Sequence, residues 1–158
     1  MVTDSTTLIV LGYGNPGRLD DGLGPKFIEC LEELSLPGVF LDSDYQLTIE
    51  DSAKVAERDV VLFVDASLTA PDPFEIKKLQ PSDPMSFTSH SVAPSQVLGM
   101  ARDLFHSDVK AFVLGIRGHC FNEYAERLST RAQENVAAAV DYFLSKKDTG
   151  WDFESDCD

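Results

Sequence analysis

Leu8–Gly24, LIVLGYGNPGRLDDGLG, is the stretch on which the reading of this chain turns. Its first four residues are a continuous apolar run ending at Gly12, the pattern of a strand buried on both faces inside a parallel sheet. A glycine-rich loop follows. Beyond it, Pro25 suits a first helical turn, and Phe27, Ile28, Leu31 and Leu34 recur at helical spacing, which predicts a helix over 25–34. Strand, loop and helix in that order open an α/β unit.

The same alternation continues outward. Val39–Leu41 reads as a short second strand, and Ile49–Arg58 as a helix with Ile49, Ala53 and Ala56 on its inner face. Val60–Asp65, VVLFVD, repeats the pattern of the first strand. Residues 66–84 are rich in proline, and within them FEIKKL at 74–79 alternates like a half-exposed edge strand. Val97, Leu98, Ala101, Leu104 and Phe105 predict a helix starting near Pro94, Ala111–Ile116 another buried strand, and Thr130–Leu144 an amphipathic helix facing inward through Ala132, Val136, Ala139, Val140 and Phe143. The fold class that follows is α/β, with helices on both faces of a mostly parallel sheet. One domain is expected over 1–148, with 149–158 a loosely held acidic tail.

The 158 residues suit a single domain, and 43% hydrophobic with 25% charged residues is ordinary globular composition. A formal charge of −14 makes nucleic acid and anionic membranes poor partners. Three cysteines without a C-x-x-C pair suggest neither a disulfide framework nor a zinc knuckle, so a reducing cytoplasm is expected. No export leader or membrane anchor is expected either.

In open α/β sheets ligands sit beyond the carboxyl ends of the strands. Three side chains are placed to meet there: Asp20 or Asp21 in the first loop, Asp65 ending a later strand, and His90 in a Ser/Thr/Pro-flanked loop ahead of a helix. Two carboxylates and one imidazole suit a divalent transition ion with coordination positions left open. The plain alternative is that the acids cap a helix or a turn. His106 and His119 lack comparable settings. Gly12-Tyr13-Gly14-Asn15-Pro16-Gly17 also satisfies the dinucleotide pattern G-x-G-x-x-G, with Asp42 near the ribose-binding offset. Against it, Pro16 removes an N–H where a pyrophosphate needs donors, and two aspartates follow. No hydroxyl or thiol lies beside a recognisable base; Ser91 is merely next to His90, so a covalent acyl-enzyme is not expected.

GYGNPGRLDDGLG, VVLFVDAS at 60–67, SHSVAP at 89–94 and FVLGIRG at 112–118 together resemble the nickel-iron hydrogenase maturation endopeptidases. The resemblance spans nearly the whole chain and implies an α/β/α sandwich around a five-stranded sheet. It implies that Asp21, Asp65 and His90 grip a metal ion. Metal-assisted hydrolysis is then expected, with Asp21 or Asp20 taking a proton and Gly12, Gly14, Asn15, Gly22 and Gly24 meeting substrate. The partner it implies is the precursor of a hydrogenase large subunit, whose C-terminal extension is removed after nickel has entered; the nickel comes with the substrate, and cadmium or zinc would stand in for it in crystals. A monomer in the cytoplasm is expected. Arg117, Gly118 and His119 stand where many members have Q-P-E, which bears on partner specificity, and Asp21 stands where some have glutamate. The different-class alternative is a chaperone that docks on the same precursor without cutting it.

Overall fold

The computed structural model describes residues 6–82 and 92–157. Five strands, β1 (Leu8–Tyr13), β2 (Val39–Asp44), β3 (Val60–Ser67), β4 (Phe74–Leu79) and β5 (Lys110–Arg117), form one sheet in the order β2-β1-β3-β5-β4. All neighbours pair in parallel except β4, which runs antiparallel to β5 with Phe74 opposite Ile116. The helices are α1 (Leu23–Glu32), α2 (Asp51–Ala56), α3 (Pro94–Phe105) and α4 (Thr130–Ser145).

Strand alternation divides the core into two layers. Leu8, Val10, Leu62, Val64, Phe112, Leu114 and Ile116 point to one face, against Phe27, Ile28 and Leu31 of α1 and Val136, Ala139 and Phe143 of α4. Ile9, Leu11, Val61, Phe63 and Ala111 point to the other, against Val55 of α2 and Val97, Leu98 and Ala101 of α3. The expected sandwich, with a mostly parallel five-stranded sheet, is what forms.

Three local expectations are corrected. The second helix is shorter than 49–58 and buries Asp51, Ser52 and Val55, while Ile49 is 45% exposed. Polar contacts turn that face inward: Asp51 accepts a hydrogen bond from the Thr48 N–H at 2.8 Å, and the Ser52 hydroxyl donates to the Ile49 carbonyl. Leu104 and Phe105 continue the apolar spacing of α3 yet lie exposed in its last turn, just before His106 ends the helix in a left-handed conformation. The acidic tail is not loosely held. Trp151 and Phe153 are buried; Trp151 stacks on Phe143 at 4.7 Å between ring centroids and Phe153 meets Phe112 edge-on. The Tyr142 hydroxyl donates to Asp156, which also pairs with Lys146. Burial of two large aromatic rings outweighs the acidic character of the segment.

Asp20 joins the first loop to the rest of the chain. It is fully buried, and its carboxylate accepts four hydrogen bonds: from the His119 N–H (2.7 Å), the Cys120 N–H (2.9 Å), and both the N–H and the hydroxyl of Ser129 (2.7 Å each). Its own N–H donates to the Cys120 carbonyl, and Leu19 N–H to Ala125. Ser129 in turn caps α4 by accepting from the Ala132 N–H. Burial alone would raise the Asp20 pKa; the bonds from Ser129, His119 and Cys120 outweigh it and hold the carboxyl below the usual carboxylate range.

Two stability measurements follow. Trp151→Ala is expected to cost about 3 kcal/mol or more in urea unfolding, the range for a large buried aromatic; a loss under about 1 kcal/mol means the segment is not part of the core. Asp20→Ala strands three backbone donors at once and is expected to cost about 3 kcal/mol or more, with Asp20→Asn intermediate. Wild-type stability in Asp20→Ala would remove the carboxylate from the fold's framework.

Candidate active site

The chain passes from β1 to β2 on one side and returns past β1 to reach β3 on the other, so the strand order reverses between β1 and β3. At such a reversal the loops leaving the two strands diverge and open a crevice. The β1–α1 loop and the end of β3 border it here. They bring Asp21 and Asp65 close enough for the charge of Asp21 to raise the pKa of Asp65.

The loop reaches that position by folding tightly on itself. Gly14 has φ +141°, and a Cβ on it would lie 2.1 Å from the Asp21 carbonyl oxygen; one on Gly12 would lie 2.4 Å from the carbonyl of Gly24. Gly22 backs against Pro16 in the same way. These glycines, expected at the substrate, are used in packing the chain against itself. Asn15 has a similar part: its side-chain oxygen accepts from the Gly17 N–H at 2.9 Å, and its own N–H donates to an Asp21 carboxylate oxygen at 2.9 Å. Asp21 therefore arrives oriented, with one oxygen bonded and the other without a hydrogen bond among the described residues.

Asp65 follows five buried residues, Val60–Val64. Burial is the largest influence on its carboxyl and pushes the pKa up; the nearby Asp21 adds to this, the Ala66 N–H donating at 2.8 Å opposes it, and the value stands at about 7. Tyr13, at the end of β1, is held in its neutral phenol form by burial and by the charge of Asp65. A carboxyl kept half-protonated at neutral pH beside a second carboxylate is a natural partner for a cation, which would relieve both burial and repulsion.

Of the expected site residues, Asp21 and Asp65 lie near enough for the charge of one to shift the pKa of the other. Asp20 does not join them as a proton acceptor, because its lone pairs are filled by the 119–129 segment. His90 lies outside the described residues, as does Ser91. Among the described residues no group of three or more His, Cys, Asp or Glu side chains is arranged to hold a metal ion. The dinucleotide reading loses its geometry as well. A pyrophosphate-binding loop opens directly into its helix, whereas here a 3-10 turn at Leu19–Gly22 intervenes and α1 begins only at Leu23.

Sequence reasoning passed over a second polar cluster. Asp72 accepts from His119 Nε2, Arg131 and Asn135, each at 2.7 Å, and Asn135 also donates to the Arg117 carbonyl. Arg117 in turn donates to the Ala70 carbonyl at 2.7 Å. The members come from the β3–β4 connection, the end of β5 and α4, so no local spacing announces them. This cluster ties the loop after β3 to the segment that Asp20 anchors.

No family model matches the chain, and no curated protein matches it by sequence. Solved structures do match. The hydrogenase maturating endopeptidase HybD from E. coli has a TM-score of 0.70 at 21% identity, covering 92% of this chain and 94% of its own. The [NiFe] hydrogenase maturation protease HycI from Thermococcus kodakarensis has a TM-score of 0.70 at 20% identity, covering 90% and 93%. A hydrogenase 2 maturation peptidase from a Thaumarchaeota archaeon has a TM-score of 0.64 at 21% identity, covering 93% and 100%. Mutual coverage of nine-tenths or more shows that this chain shares the fold of those proteins over most of its length.

Proposed function

We propose that the chain is an endopeptidase that removes the C-terminal extension of a nickel-iron hydrogenase large-subunit precursor after nickel insertion. The observation that carries this reading is the proximity of Asp21 to Asp65 at the strand-order reversal, in a fold shared with solved hydrogenase maturation proteases. On this reading the chain acts as a monomer in the cytoplasm. Among the described residues no helix is long and apolar enough to cross a membrane.

In this account nickel belongs to the substrate and serves as its recognition element. Asp21, Asp65 and His90 grip the precursor's nickel, supplying two oxygen ligands and one imidazole, which suits a borderline divalent ion. Water adds to the scissile carbonyl, held beside the ion, and gives its proton to the Asp21 carboxylate; that proton passes to the leaving amine as the peptide bond breaks. Asp21 is the acid of the first loop that fits this role, since Asp20 is committed to its four donors. In this account the precursor delivers the ion, and the chain alone is expected to hold metal weakly.

Asp21→Asn is expected to lower the cleavage rate of nickel-loaded precursor by about 100-fold or more without lowering the thermal midpoint, because the amide oxygen can still accept from the Asn15 N–H and the repulsion of Asp65 is relieved. Mass spectrometry of the precursor reads this directly. A precursor that binds wild-type chain but never shortens points instead to a docking chaperone. A second expectation concerns pH. Asp65 must lose its proton to engage the cation, so kcat/KM is expected to rise about tenfold per unit up to about pH 7 and then level off. A flat profile across that range means that Asp65 does not take part as a carboxylate.

A further inference from the structure

The last residue of β1 lies beside Asp65. Gly12 pairs with Val64 in the parallel β1–β3 ladder, so Tyr13 and Asp65 are each one step beyond that pair, on strands about 5 Å apart. Strand alternation puts both side chains on the sheet face that carries Ile9, Leu11, Val61 and Phe63, and Tyr13 packs against that layer. On the other side of Asp65 the row continues with Gly115 of β5, which has no side chain. Tyr13 is therefore the side chain that flanks Asp65 within its row of the sheet.

The backbone of Tyr13 is held from the opposite face. A Cβ on Gly24, in the first turn of α1, would lie 2.7 Å from the Tyr13 nitrogen, 2.5 Å from its carbonyl oxygen and 2.7 Å from the carbonyl oxygen of Val64. Laterally Tyr13 is paired with Asp44 of β2, whose carbonyl also accepts from the Gly14 N–H at 3.0 Å. A helix on one face and a strand at the side fix residue 13, and its ring is confined to the face that Asp65 shares.

The hydroxyl at the end of that ring is uncommitted. Among the described residues it makes no hydrogen bond, and it is not sealed from solvent either: Arg58 Nε is the one buried polar side-chain atom without a partner there. Burial and the charge of Asp65 keep the phenol proton in place. A neutral O–H thus stands next to carboxylates which, when ionised, offer only lone pairs.

Peptide hydrolysis needs a donor as well as acceptors. When water adds to the scissile carbonyl, the C–O π pair moves onto the oxygen, and a preorganised N–H or O–H that meets this oxygen lowers the barrier. We propose that the Tyr13 hydroxyl is that donor, a catalytic residue that hydrogen-bonds to the carbonyl oxygen of the scissile peptide as it becomes negative. The proposal rests on the reading of the chain as a hydrogenase maturation endopeptidase. Tyr13 keeps its own proton throughout. The proton of the water goes to Asp21 and on to the leaving amine, and the pair on the oxygen returns to re-form the carbonyl as the C–N bond breaks.

Tyr13→Phe removes the oxygen and leaves the ring. The full-length variant and the unmodified chain are each incubated with full-length nickel-loaded precursor, shortening is followed by mass spectrometry, and the thermal midpoint of each chain is measured. The expected result is a kcat lower by about 100-fold with KM unchanged, the scale of losing one donor to such an oxygen. The thermal midpoint is expected to stay the same, because the hydroxyl has no partner to lose. Cleavage by the unmodified chain with an equal kcat in Tyr13→Phe overturns the proposal and leaves the protease reading standing. A raised KM at unchanged kcat does the same, since it makes the hydroxyl a general binding contact. Lost activity together with a clearly lowered thermal midpoint assigns the hydroxyl to the fold and likewise overturns the proposal. A precursor that the unmodified chain never shortens overturns the protease reading and the proposal with it.

Discussion

A single buried carboxylate organises the functional end of this molecule. Asp20 has no exposure to solvent, and an ion in that setting persists only when its lone pairs are occupied. Three backbone N–H groups and one hydroxyl occupy them, all drawn from a segment about a hundred residues further along the chain. The cost of burying the charge therefore becomes a constraint on geometry: the glycine-rich loop after β1 must sit against the segment between β5 and α4. The next residue, Asp21, lies near enough to Asp65 at the end of β3 for its charge to be felt there. The two neighbouring aspartates divide the work, one holding the loop and the other facing the crevice.

The rest of the site depends on that placement. The sheet buries five apolar residues ahead of Asp65 and so delivers a carboxyl into a poorly solvated position, where its pKa rises to about 7. Asp21 beside it makes the pair electrostatically costly without a cation. Stability and function pull in opposite directions here. The framework around Asp20 fills its lone pairs, whereas Asp21 and Asp65 each accept a single backbone hydrogen bond among the described residues. The Asp72 cluster extends the framework by binding the loop after β3 to the end of β5 and to α4, so both loops that border the crevice are tied to the same helix-bearing segment.

Much of this was legible in the sequence, for physical reasons that differ from element to element. LIVL and VVLFV are apolar on both faces, a pattern that only central parallel strands need, so the sheet and its class were readable. The helices α1 and α4 announced themselves by spacing. Where polar contacts decide the outcome, spacing failed: Asp51 and Ser52 turn the short α2 inward on a face that no hydrophobic pattern marks. Trp151 and Phe153 sit among acids without any periodicity, yet two rings against Phe143 and Phe112 suffice to dock the segment. Asp20 and Asp21 cannot be told apart by residue type; the partners that distinguish them lie in distant parts of the chain. The approach of Asp21 to Asp65 was readable from topology, by the rule that strand-order reversals gather loops, and from the resemblance, but from no local spacing.

The central claim is that Asp21, Asp65 and His90 converge on one divalent ion. The most direct measurement is a crystal structure of this chain soaked in excess cadmium, with anomalous scattering used to locate the ion. The account predicts one cadmium coordinated jointly by the Asp21 and Asp65 carboxylates and the His90 imidazole. Cadmium bound elsewhere, with those carboxylates unliganded or His90 out of reach of both, would contradict it.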